Sequence, residues 1–500
     1  MGKTFLLSTV LTWGVLILLI PAQGAKSDDP TRTTEYGEIR GTHINIKRFD
    51  KGVNVFLGIP FARPPTGALR FSPPQPPEPW SEVREATSYP SMCLQDITNL
   101  ESLRKFLNIN FSITATSEDC LYLNIYVPDH AKEGARLPVM VWVHGGCLLS
   151  GSASMYDGSK LSASQNIVVV TIQYRLGLLG FFSTGDEHAS GNWGYLDQVA
   201  ALKWVQENIA HFGGDPGHVT VFEESIGGMR VSSYVLYPIS KTLFYRQTME
   251  SRVVIHPGLT SFSSESITSH IANISACESY SSAAIVECLR NKTEREILAI
   301  SKQFVIIPGM VNGQFFPKHS ADLLTSAKFH HLPSIIGTNN YDWIIPVRLG
   351  ISQFKEEITR ENIREMLLSP LIKSMNPEDV NIFIDKYLGN TEDPKELRLR
   401  LQEMMGNLIF FMPSFRVARY QQSPSSQVYF YAFHHRLSML KGTEPDYIEV
   451  NLADELRFIF GAQFLHRATK EENLIGEKIM VYWANFVKNG PALLADLQPE

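Results

Sequence analysis

The sequence predicts an α/β fold, with a central, mostly parallel sheet flanked by helices on both faces. Three observations carry this expectation. Two nearly unbroken apolar runs, Leu137–His144 (LPVMVWVH) and Asn166–Tyr174 (NIVVVTIQY), have the length and β-branched content of strands buried on both sides. The segment Val199–Phe212 (VAALKWVQENIAHF) spaces Val199, Leu202, Val205 and Ile209 along one helical face. His218–Phe222 (HVTVF) then reads as a short β-branched strand, so strands alternate with helices as a parallel sheet requires. In such sheets functional groups collect beyond the carboxyl ends of the strands.

The remaining segments fit that architecture. At 44% hydrophobic and 19% charged residues, the 500-residue chain is globular in composition rather than disordered. It shows no internal repeat and no low-complexity linker. The prolines between Pro73 and Pro79 read as a rigid surface loop rather than a domain boundary. A formal net charge of -6, with no basic block, argues against nucleic acid as a partner. At the N-terminus, Lys3 precedes an apolar run from Phe5 to Ile20, and Pro21-Ala22-Gln23-Gly24 offers small residues for cleavage. This predicts a signal peptide over 1–24, an uncleaved anchor being the alternative, with a single domain over 25–500. No later apolar run reaches the roughly 18 residues of a membrane span, so no span is expected in the mature chain.

Five cysteines, Cys93, Cys120, Cys147, Cys277 and Cys288, suit an oxidising compartment; four can form two bridges, with one left over. Asn110, Asn273 and Asn291 open N-glycosylation sequons. No His, Cys or carboxylate cluster has metal-ligand spacing, so no metal is expected, and the sequence suggests no organic cofactor.

The chemistry should lie where strands end. His218–Phe222 runs into Glu223-Glu224-Ser225-Ile226-Gly227-Gly228, which has the form of a G-x-S-x-G nucleophile elbow whose first glycine is replaced by Glu223. Upstream, Leu137–His144 runs into Gly145-Gly146-Cys147, the kind of loop whose backbone N–H groups stabilise an oxyanion. S-x-G alone is non-specific, and a Gly-Gly turn is common; two such elements after two strands in this order are not.

At these residues the chain resembles the type-B carboxylesterases, which are cholinesterase-like α/β-hydrolases, and in particular the mammalian carboxylesterase 2 type. Matching stretches are Val55–Phe71 (VFLGIPFARPPTGALRF), Glu118–Pro128 (EDCLYLNIYVP), Tyr174–Asp186 (YRLGLLGFFSTGD), Gly191–Val199 (GNWGYLDQV), Phe212–Phe222, Asp454–Gly461 (DELRFIFG) and Tyr482–Asn485 (YWAN). Together they span about residues 32–490. The resemblance implies the α/β-hydrolase fold, disulfides Cys93–Cys120 and Cys277–Cys288 with Cys147 outside both, and a Ser, acid, His triad. Ser225 matches the nucleophile. Asp342, after Gly337-Thr338-Asn339-Asn340, falls at the position of the acid, where the family has Glu. The histidine precedes the Asp-Glu-Leu run by two residues, and here Leu452 stands in its place. Leucine accepts no proton, and a serine hydroxyl without a base is a weak nucleophile. The oxyanion donors would come from the Gly145, Gly146, Cys147 loop and from Ile226.

Other departures accompany Leu452. Arg252 follows Met249-Glu250-Ser251 where the family has glycine, and an ion pair with Glu223 would offset both changes. His434, His435 and His466 are the only histidines after Asp342, and none sits where a base is expected. Relatives run several dozen residues past the position of Gly490, whereas Glu500 ends this chain without an H-x-E-L retention tetrapeptide. Secretion or residence in the endoplasmic reticulum lumen is therefore expected. The expectation for function is a catalytically impaired carboxylesterase-like glycoprotein that keeps a pocket for small lipophilic ester or acyl ligands. The alternatives are an active esterase with an unusual base and a poorly folding product. Oligomeric state is not legible.

Overall fold

The computed structural model describes residues 29–106, 111–224, 242–251, 260–261, 263–278, 281–304, 306–311, 315–316, 331–339, 358–368, 377–424, 426–438, 453–461 and 468–490. The signal peptide expected over 1–24 lies outside them. A nine-stranded sheet dominates. Its strands are β1 (Thr42–Ile46), β2 (Lys51–Pro60), β3 (Tyr122–Pro128), β4 (Leu137–Val143), β5 (Val168–Ile172), β6 (Gly214–Glu224), β7 (Arg246–Glu250), β8 (Ser334–Asn339) and β9 (Val428–Phe433). Their order across the sheet is β9-β8-β7-β6-β4-β5-β3-β2-β1. Every pairing from β9 through to β5 is parallel, and the pairings among β5, β3, β2 and β1 are antiparallel. The α/β class with a mostly parallel sheet is therefore present.

The central strands read as continuous apolar runs because both of their faces are covered. Alternate residues supply two separate apolar layers, as the two-residue period of a strand demands. Val139, Val141, Val143, Val168, Val170, Val219 and Val221 face one layer. Met140, Trp142, Val169 and Phe222 face the other. Three helices close these layers: α1 (Ser159–Gln165), α2 (Trp193–Asn208) and α3 (Lys470–Asn489). α2 covers the first layer with Val199, Leu202 and Val205, the residues whose spacing predicted it. The second layer packs on Leu161 of α1 and on Trp483, Phe486 and Val487 of α3. Thr469 caps α3: its hydroxyl accepts from the Glu472 N–H at 3.1 Å while Glu472 Oε2 accepts from the Thr469 N–H at 2.7 Å.

Element boundaries differ modestly from expectation. The predicted helix starts six residues earlier, at Trp193, and finishes as a 3-10 turn over Ile209–Phe212. The predicted strand His218–Phe222 extends in both directions, to Gly214 and to Glu224. β9 stops at Phe433, so His434 and His435 lie just beyond the strand. Helices Arg360–Leu368, Pro377–Leu388 and Pro394–Gly406 pack around a small core of their own that includes Ile363, Leu367, Val380, Leu388, Leu401 and Met404.

Two disulfides are present, Cys93–Cys120 and Cys277–Cys288, with Cα atoms 4.9 and 5.7 Å apart. An arginine clamp lies between them. Arg70 forms a two-pronged pair with buried Glu118, and its Nη1 also donates to the carbonyls of Leu289, Arg290 and Lys292. Asn273 and Asn291 are exposed, and Asn110 is outside the described residues. No helix among the described residues is long and apolar enough to cross a membrane.

A second buried ion pair fixes the loop that leaves β5. Arg175 is 2% exposed and Asp197, within α2, is fully buried. Asp197 accepts from Arg175 Nε at 2.8 Å, from Nη2 at 2.7 Å and from the Arg175 backbone N–H at 3.0 Å. Removing one partner of such a pair leaves an uncompensated buried charge. Asp197→Ala should therefore cost about 3–5 kcal/mol, read as a large drop in the urea midpoint. A loss of under about 1 kcal/mol, as for an exposed pair, would contradict this account.

Candidate active site

In the sheet order β4 and β6 are neighbours, and the chain leaving β4 goes to β5 on one side whereas the chain leaving β6 goes to β7 on the other. The crevice beyond the carboxyl ends of β4 and β6 is thus the topological switch point at which such folds place their chemistry. β4 delivers the Gly145, Gly146, Cys147 loop there, and β6 ends there at Glu224, the residue before Ser225 in sequence.

The loop after β4 is firmly anchored at its base. His144 is buried, and its ring stacks on Tyr174 with centroids 4.4 Å apart. Tyr174 Oη donates to the His144 carbonyl at 2.7 Å. His144 Nδ1 lies 2.9 Å from the Gly145 carbonyl, which can only accept, so Nδ1 carries the proton. The His144 ring thus anchors the base of the loop through Nδ1 and its stack on Tyr174.

Beyond it the backbone turns left-handed for three residues, with φ of 100° at Gly146, 57° at Cys147 and 63° at Leu148. A Cβ at residue 146 would stand 2.0 Å from the Ser150 carbonyl oxygen, so only glycine fits there. The turn is closed by Leu149 and Ser150 N–H groups donating to the Gly146 carbonyl, both at 3.0 Å, and by Gly177 N–H donating to the Leu148 carbonyl at 2.7 Å. Cys147 holds a left-handed conformation with an exposed side chain, so its strain is not repaid by burial.

β6 continues as strand through both glutamates. Glu223 pairs in register with Val143 of β4 and Met249 of β7, and Glu224 with Glu250. One rung across five strands reads Ile172, Val143, Glu223, Met249, Ile336. All but Glu223 belong to the first apolar layer, and Glu223 is fully buried. The residue at the elbow's first glycine position is therefore desolvated within regular strand, rather than accommodated by a distorted turn.

The opposite face of the same strand ends is acidic. Glu224 and Glu250 are adjacent on neighbouring strands, and Glu455, just before helix Leu456–Ile459, joins them. All three are buried. Glu250 Oε1 accepts from Trp483 Nε1 of α3 at 2.9 Å and from Thr248 Oγ1 at 3.3 Å. Glu455 accepts from Ser251 Oγ at 3.4 Å and from Asn339 Nδ2 at 2.5 Å. Burial, then the Glu224, Tyr174 and Glu455 charges, push the Tyr156 hydroxyl far above its ordinary range, which puts Tyr156 beside this group. Asp454 pairs with buried Arg457 at 3.6 Å.

Ser225, Ile226, Arg252, Asp342, Leu452 and His466 lie outside the described residues, so the expected triad, the Ile226 donor and the Glu223–Arg252 pair remain sequence expectations. Their flanks are described. Asn339, three residues before Asp342, donates to Glu455, three residues after Leu452. His434 is exposed, and His435 packs edge-on against Phe458 at 5.7 Å. Among the described residues no group of three His, Cys, Asp or Glu side chains is arranged to hold a metal ion.

The glutamate cluster was not anticipated from sequence. Its signal was an acid closing an otherwise apolar strand, in Phe222-Glu223-Glu224 and in Met249-Glu250.

Residues 28–498 match the carboxylesterase family. The chain is 50% identical to acylcarnitine hydrolase of Mus musculus, over 96% of this chain and 87% of that protein. It is 50% identical to cocaine esterase of Homo sapiens, over 95% and 86%. It is 45% identical to the fatty acyl-CoA hydrolase precursor, medium chain, of Anas platyrhynchos, over 98% and 89%.

Replacing Cys147 by glycine should relieve about 1–2 kcal/mol of left-handed strain against about 0.4–1 kcal/mol of added freedom in the unfolded chain. Cys147→Gly is thus expected to melt slightly higher than wild type in a calorimetric scan; a lower melting temperature would show that the loop is not strained at Cys147.

Proposed function

The chain belongs to the carboxylesterase family, and from that premise we propose that it is a carboxylesterase-like protein whose ester hydrolysis is impaired at the proton-transfer step. The observation that carries this reading is Leu452, two residues before Asp454-Glu455-Leu456, where the family resemblance calls for the triad histidine. In an intact member the serine hydroxyl attacks the ester carbonyl while the base takes its proton. The tetrahedral oxyanion rests on backbone N–H groups, the alcohol leaves with that proton, and water releases the acid from the acyl-enzyme.

Each protein part has a counterpart here except the base. Ser225 supplies the nucleophile position, Asp342 the acid position, and the Gly145, Gly146, Cys147 loop with Ile226 the oxyanion position. Loss of a triad base costs on the order of 10⁶ in kcat in a well-studied serine hydrolase. What then remains, roughly 10³–10⁴-fold over water, comes from binding and the oxyanion hole. Glu223 in the central rung favours the same reading, since a buried carboxylate replaces the small residue that lets an elbow pack closely.

The ligands proposed are small lipophilic esters or acyl compounds, in keeping with the names of the relatives. Because the first 24 residues have signal-peptide form and both disulfides are made, the proposed location is the secretory pathway, either secreted or in the endoplasmic reticulum lumen.

Hydrolysis of p-nitrophenyl acetate and butyrate by the purified protein tests this directly, beside Ser225→Ala and Leu452→His. Wild type should match Ser225→Ala at background. Leu452→His should gain roughly 10²–10⁴-fold. Turnover by wild type that disappears in Ser225→Ala would overturn the impaired reading and require another base.

A further inference from the structure

Glu250 is fully buried, and its two oxygens differ. Oε1 accepts from Trp483 Nε1 and Thr248 Oγ1, while Oε2 is buried with no hydrogen-bond partner among the described residues. A full negative charge on this group would leave one oxygen neither solvated nor bonded, which is among the most costly arrangements in a protein interior.

Its neighbours make ionisation harder. Glu224 is its register partner on β6, and strands stand only about 4.8 Å apart. Glu455, which is 1% exposed, approaches from the segment before helix Leu456–Ile459, with Asp454 beside it in sequence. Among the described residues, the titratable or charged groups beside the cluster include Tyr156, whose hydroxyl stays neutral, Tyr431, which packs edge-on against Trp483, and Arg457, which pairs with Asp454. β8 contributes the neutral amide of Asn339, and α3 the neutral indole of Trp483.

We infer that Glu250 is a neutral carboxylic acid in the folded protein, and that Glu250 and Glu455 together form a pH-sensitive latch holding the ends of β7 and β8 against α3 and the 453–459 segment. The bonds that the pair makes join all four: Trp483 of α3 to Glu250 on β7, and Ser251 and Asn339, beyond β7 and in β8, to Glu455. The flanks of the acid and base positions therefore meet on this latch.

The direction of the pH effect follows. Burial, then the Glu455 charge, holds the Glu250 carboxyl well above the usual carboxylate range. Burial pushes Glu455 from its ordinary value of 4.5 up to about 7. Between those values the folded state keeps a proton that the unfolded state has released. Stability is thus full below about pH 4.5 as far as this group is concerned, and is lost as pH rises through about 7, with the Glu250 contribution extending the loss higher.

The test is thermal melting of the full chain at about pH 5.5 and about pH 8, for wild type, Glu250→Gln and Glu455→Gln. The wild-type midpoint should fall by roughly 1–3 °C between the two pH values, a small shift because the unfolding entropy of so long a chain is large. The amide variants, which have no proton to lose, should show a clearly smaller fall. A fall in both variants as large as in wild type overturns the latch. Should the variants not fold, infrared spectroscopy of wild type decides: a carboxylic-acid carbonyl band near neutral pH that disappears in alkali supports the inference, and its absence near neutral pH overturns it.

Discussion

Strands held in parallel register with both faces covered leave only their carboxyl ends for polar side chains, and most of this molecule follows from that constraint. The row of pairings from β5 through β4, β6 and β7 to β8 brings five strand ends to one level. The same alternation that sends Val143 and Met249 to one apolar layer sends Phe222 and Glu250 to the other. Arg175 and Asp197 then lock the exit of β5 onto the helix that covers the first layer. With the scaffold so tied, whatever residue occupies the last position of a strand is delivered to the crevice, whether or not it suits that place.

Glu223 and Glu250 show two outcomes of that delivery. Glu250 stands beside Trp483 and Thr248, which satisfy one of its oxygens, and tolerates burial by keeping a proton. Glu223 stands in a rung of apolar neighbours, where the backbone pairs normally on both sides and the side chain is fully buried. The sheet does not bend around the substitution, because strand pairing on two sides is worth more than the comfort of one side chain. Strand pairing around Glu223 is therefore preserved on both sides.

The fold class was legible because its signals are periodic and redundant. Leu137–Val143 and Val168–Ile172 are strands within two residues of their apolar runs, and Val199, Leu202 and Val205 are all buried as their spacing required. Ends were harder to read. Trp193–Gln198 carries no clean apolar stripe, since Asp197 and Gln198 are both buried there, Asp197 on Arg175. The disulfides were legible only through family resemblance, as spacing alone left several pairings open. The acid cluster was not legible at all. Glu224, Glu250 and Glu455 are 26 and 205 residues apart in order along the chain, and only strand register and the turn before Leu456 bring them together.

The Arg70 clamp has a mechanical consequence. Its guanidinium grips Glu118, two residues from Cys120, and also the carbonyls just past Cys288, so it bridges the two covalent loops 93–120 and 277–288. Neither loop can swing outward without tearing charge-assisted bonds from the other. Segments more than 150 residues apart in sequence thus open as one cooperative unit, and the pair of crosslinks behaves as a single buckle rather than as two independent stitches.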